Sequence, residues 1–122
     1  MDKKLSMIVT NNSLVRDRFE GWETVFVEGD CLDVFKAARD RIHLGHRLLS
    51  HPLSGSVKPG QTPYKTIVIT KEKDTLDERS LSMIEESIQA FVRLNPGGSR
   101  GKYTKEVLDD FRLIDYNLVY KS

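Results

Sequence analysis

Leu5-Ser6-Met7-Ile8-Val9-Thr10, followed at once by Asn11-Asn12-Ser13, is an apolar, β-branched run that stops on residue types which cap helices. An apolar run of this length closed by turn residues predicts a buried strand feeding a helix. The helix covers Leu14 to Phe19 and stops near Gly21, after which Thr24-Val25-Phe26-Val27 predicts a second strand ended by Glu28-Gly29-Asp30. From Cys31 to Leu44, the apolar residues Cys31, Val34, Phe35, Ala38 and Ile42 fall at helical spacing, with Lys36, Arg39, Asp40 and His43 on the other side. Asp30 can cap this helix and Gly45 can close it.

Beyond Gly45, Arg47-Leu48-Leu49-Ser50 reads as a third strand, and Thr66-Ile67-Val68-Ile69-Thr70 as the clearest strand of the chain. Between them His51 to Tyr64 is irregular, with three prolines and two glycines, and a loop of that length in a small domain is often functional. Thr75-Leu76-Asp77-Glu78 fits a capping box ahead of a helix lined by Leu81, Ile84, Ile88 and Phe91 and ending near Asn95-Pro96. Residues 96–101 form a connector, Thr104 caps a short helix carrying Val107, Leu108 and Phe111, and Leu113 to Tyr120 fits either helix or edge strand. Strands alternating with helices predict one α/β domain over residues 1–122. The expected form is a three-layer sandwich on a mostly parallel sheet of about four strands, flavodoxin-like or Rossmann-like in layout.

Composition narrows the function. A chain of 122 residues can bury roughly two thirds of its unfolded surface around a single core. Nineteen Lys and Arg against 18 Asp and Glu leave a net charge of +1, too little for the field of a non-specific nucleic-acid binder. No apolar run nears the roughly 20 residues of a membrane span, and no export signal is visible, so the cytoplasm is the expected compartment. The single cysteine, Cys31, makes no internal disulfide; at a helix N-terminus it has raised reactivity as one reading and plain core as the stronger one.

Chemistry concentrates between His43 and Lys65. All three histidines, His43, His46 and His51, lie within nine positions, followed by Ser54, Gly55, Ser56, Lys58, Thr62 and Lys65. A Ser-Gly-Ser turn can aim backbone N–H groups and hydroxyls at an oxyanion, with Arg47, Lys58 or Lys65 supplying charge. No carboxylate occurs between Asp40 and Glu72, which favours an anionic ligand. Ligands of open α/β sheets lie beyond the carboxyl ends of strands, so Asn11, Asn12, Arg47, Ser54, Gly55, Ser56 and Lys58 are the expected binding residues. The bland alternative is a solvated loop whose serines satisfy their own backbone. His46 and His51 are the candidates for acid or base catalysis. Three imidazoles also invite a zinc reading, but their spacing around a helix end is poor for ligation, and neither metal nor cofactor is expected. Residues 97–104 only superficially match a phosphate loop, because Pro96 stands where its first glycine belongs and Tyr103 where its hydroxyl belongs. Trp22 and Phe19 beside Gly21 read as packing.

The runs Met7 to Asn12, His43 to Pro59, Pro63 to Lys65 and Val107 to Asp115 together resemble the GrdX family, small proteins associated with the glycine reductase system of anaerobic, amino-acid-fermenting bacteria. The resemblance spans most of the chain and is most specific between Gly45 and Lys65. It carries no catalytic residues, because the family has no established activity. It implies an accessory role toward glycine reductase components or an acyl-phosphate-like anion. Three functions compete on this footing: an accessory protein binding an anion or a partner through the 46–65 loop, a small enzyme acting on a phosphorylated or carboxylated metabolite, and a pure docking module.

Overall fold

The computed structural model describes residues 1–54, 62–95 and 103–121. Their elements run β1 (Ser6–Thr10), α1 (Ser13–Arg18), β2 (Glu23–Phe26), α2 (Cys31–His43), β3 (Thr66–Thr70), α3 (Glu78–Leu94) and α4 (Lys105–Tyr120). Local chemistry accounts for most of the boundaries. Asn12 caps α1 by accepting from the Leu14 N–H at 3.0 Å. Asp30 and Asp33 exchange hydrogen bonds across the first turn of α2, a reciprocal box that satisfies two donors the helix end would otherwise orphan. Gly45 follows α2 with φ of +111°, where a side chain would be strained. The start of α3 lies two residues later than the box at Thr75 predicts: Asp77 is the cap and accepts from Ser80.

The sheet departs from the expected layout. It has three strands in the order β2-β1-β3, with β1 and β2 parallel but β3 antiparallel to β1. The mostly parallel, four-stranded flavodoxin-like or Rossmann-like arrangement is therefore wrong. The cause is the path between α2 and β3. Residues 47–50 leave α2 in the direction a third parallel strand would take, yet they make only an isolated antiparallel bridge, Leu48 to Ile69. Among the described residues no helix lies between them and β3 to serve as the crossover that returns a parallel strand, and β3 runs back in the opposite sense. β3 thus inserts between β1 and the 47–50 segment, which lines its outer edge through Leu49 N–H to Val68 O at 2.8 Å and Thr70 N–H to Arg47 O at 2.8 Å.

Alternation along the strands divides the interior. Met7, Val9, Ile67 and Ile69 face α2 and α3, packing with Phe35, Ile42, Ile84 and Phe91. Ile8 faces the other way, onto Val15, Phe19 and Val119 of the α1 and α4 side. The tail is wholly helical: Arg112, Asp115, Tyr116 and Val119 recur at helical spacing on the inward side of α4. No helix among the described residues is long and apolar enough to cross a membrane.

Candidate functional site

β1 ends beneath the turn at 51–54 and beside α4, and polar side chains collect there. Thr10 Oγ1 lies 2.7 Å from Thr66 Oγ1, the facing residue of β3. Thr66 Oγ1 lies 2.7 Å from Asp115 Oδ2, which also accepts from Asn12 Nδ2 at 3.0 Å. Asp115 is 9% exposed. Burial raises the pKa of its carboxyl, while the bonds from Asn12 and Thr66 and the charge of Lys65 pull the other way. Both hydrogen bonds fall on Oδ2, so Oδ1 has none among the described residues. Asp115 borders a small cleft of about 50 Å³ with Ser50, His51, Ser54 and Thr66.

Lys65, 5% exposed, sits beside this cluster and donates from Nζ to the Ser54 carbonyl at 2.9 Å. Burial lowers its pKa, partly offset by Asp115. His51 Nδ1 accepts from the Leu53 N–H at 3.1 Å, so the neutral ring carries its proton on Nε2. Ser50 Oγ accepts from the Val68 N–H, which leaves its own hydrogen to give. The cleft therefore offers hydrogen-bond donors from Ser50, His51 and Ser54 on one side and a carboxylate oxygen on the other. Alongside it, the Arg112 guanidinium lies 4.9 Å over the Tyr64 ring, and its buried Nε–H has no acceptor among the described residues.

The residues expected from sequence divide three ways. Asn12, Ser54 and His51 do meet at this end of the sheet. Asn11 is nearby but structural, since its side chain donates to Gly29 O and Pro63 O and accepts from Lys65 N–H, tying three segments together. His46 and Arg47 lie at the opposite end of β3. His46 is buried with Nδ1 2.6 Å from Thr70 O, and the Arg47 side chain, 51% exposed, approaches Asp74 at 3.8 Å. Gly55, Ser56 and Lys58 lie outside the described residues. No group of three or more His, Cys, Asp or Glu side chains converges as metal ligands would, among the described residues. Cys31 is buried with Sγ 3.2 Å from Thr62 O, and burial pushes its thiol up to about 12, which makes it a core residue rather than a nucleophile.

Asp115, Thr66 and Arg112 were not singled out by the sequence. A signal for Asp115 exists once the tail is read as helix: Phe111, Asp115 and Val119 share one stripe, and a carboxylate interrupts an otherwise apolar face. The family model for GrdX-like proteins matches residues 7–122, nearly the whole chain. No curated protein and no solved structure is significantly similar to it.

Proposed function

This chain belongs to the GrdX-like protein family, and from that premise we propose that it is an accessory protein of the glycine reductase pathway. In this reading it binds a small carboxylate-bearing molecule in the cleft between residues 50–54 and α4. The observation that carries the proposal is Asp115 Oδ1, an oxygen of a buried side chain that borders a cleft and lacks a hydrogen bond among the described residues. An occupant that donates to this carboxylate oxygen makes a hydrogen bond to a charged group, worth about 1.5–3 kcal/mol. Ser50, His51 and Ser54 supply donors for the anionic end of the same molecule, and the charge of Lys65 lies behind Ser54. Opposite demands on the two walls favour a ligand of few atoms with a carboxylate at one end and an amino group at the other. Arg47 takes no part in this version of the anion site.

The enzymatic alternative loses His46 to its structural bond with Thr70 and keeps only His51, which borders the cleft but whose Nδ1 is bonded to the Leu53 N–H rather than to an activating carboxylate. Binding without turnover is the simpler use of the geometry.

Thermal unfolding against glycine, acetate, acetyl phosphate and inorganic phosphate tests it. A ligand at one hundred times its Kd adds roughly 2.7 kcal/mol, a rise in Tm of about 10 °C for a domain of this size. The expected result is a rise with glycine larger than with acetate, and its loss in Asp115→Ala and Ser54→Ala, each measured against its own unliganded protein. No shift with any of the four, or shifts that survive both substitutions, would overturn the reading.

A further inference from the structure

On the α1 and α4 side of the sheet, four aromatic rings that take no part in lining the cleft meet without filling the space between them. Gly21, with φ of +81°, turns the chain so that the Trp22 N–H donates to Phe19 O at 3.1 Å. The Trp22 ring then meets Phe19 edge to face, with centroids 5.3 Å apart and planes at 87°. From α4, Tyr116 approaches Phe19 at 5.7 Å and stacks on Tyr120, one turn later, at 5.9 Å and 22°. A cavity of about 320 Å³ remains among these rings, with Arg18 and Met1 on its wall. That volume lies at the lower end of small-molecule sites.

Arg18 decides what the cavity takes. Its guanidinium lies 4.9 Å over the Tyr116 ring and makes no ion pair among the described residues. A cation bound among the rings would meet this like charge at the Tyr116 face, which excludes the usual occupant of an aromatic cage. An anion meets a planar fork of N–H donors instead, already oriented by the ring beneath it. The walls are ring faces and edges, which favour a flat partner: stacking on an aromatic side chain contributes about 1–3 kcal/mol per ring. The geometry points to a second binding site here, for a flat aromatic ring that carries a carboxylate or a phosphate, independent of the cleft at Asp115.

Trp22 is the only tryptophan of the chain, so its fluorescence reports on this cavity alone. The protein is titrated with nicotinate and with AMP, and in parallel with nicotinamide and adenosine, their uncharged counterparts. The expected result is saturable quenching by at least one of the anions, weaker by about tenfold or more for its neutral counterpart. Arg18→Met, an exposed position whose loss leaves the core intact, removes that preference, and Tyr120→Ala weakens binding of the ring itself. Quenching by nicotinate but not AMP assigns the carboxylate, and the reverse assigns the phosphate. Absence of saturable quenching by both anions, equal affinity for the neutral rings, or an unchanged preference in Arg18→Met would overturn the proposal.

Discussion

Replacing Asp115 separates the two things its carboxylate does, accepting hydrogen bonds and carrying a desolvated charge. Asp115→Ala removes the acceptor of Asn12 Nδ2 at 3.0 Å and of Thr66 Oγ1 at 2.7 Å. Hydrogen bonds to a charged group are each worth about 1.5–3 kcal/mol, but both partners keep another bond, Asn12 Nδ2 to Arg112 O at 2.9 Å and Thr66 Oγ1 to Thr10 Oγ1 at 2.7 Å. Relief of the buried charge offsets part of the loss, so the net cost of Asp115→Ala is about 2 kcal/mol at neutral pH. Asp115→Asn keeps an acceptor oxygen at the same place and discards only the charge. Because burial raises the folded-state pKa above the ordinary value, the native protein holds this proton at a pH where the unfolded chain has released it. Its contribution to stability is therefore full below the unfolded pKa and is lost as pH rises through the folded one. The wild type should lose stability relative to Asp115→Asn as pH rises above the ordinary carboxylate range of about 4, and the two should converge in acid. Urea unfolding followed by circular dichroism as a function of pH measures both differences. Asparagine as damaging as alanine, or a gap between wild type and asparagine that does not widen with pH, would refute the reasoning.

Three more outcomes follow from local geometry. Gly45→Ala should cost about 3 kcal/mol, because strain at φ of +111° is compounded by a Cβ driven into the Asp74 backbone, whereas Gly21→Ala, whose Cβ meets only the movable Lys3 side chain, should cost about 1 kcal/mol; equal urea midpoints for the two would contradict this. Cys31 should resist a chromogenic thiol reagent at neutral pH in the native protein and react once urea unfolds it, and stoichiometric labelling of the folded chain within seconds would show that its burial is misjudged. Arg47→Ala should change stability by less than about 1 kcal/mol and leave any ligand-induced rise in Tm intact, since its ion pair with Asp74 is long and exposed; a lost rise would return Arg47 to the site.

The readable parts of this chain are those whose cause is local. Met7, Ile8 and Val9 read as a buried strand because an unbroken apolar run suits an element covered on both faces, and the structure buries all three. Cys31, Val34, Phe35, Ala38 and Ile42 read as one helical face because their spacing is 3.6, and all five are buried. Asp30 and Gly45 read as the ends of that helix from their side-chain chemistry. The tail was ambiguous for a physical reason: Asp115 breaks the apolar stripe of α4, and what compensates a carboxylate on an inward face is Asn12 and Thr66, about a hundred and about fifty residues earlier in the chain.

The sequence by itself determined β1, β2, α2 and β3, the caps of α2 and the two-sided burial of β1, because each follows from residues a few positions apart. Tertiary structure alone decided the direction of β3 and, with it, the fate of the histidine-rich segment. Strand direction depends on the path of the connection and on which edge is free, and neither is written in periodicity. Once 47–50 runs along the outer edge of β3, His46 and Arg47 fall at one end of the sheet and His51 and Ser54 at the other. Residues crowded together in sequence are thereby divided, and Asn12, Thr66 and Asp115 are joined.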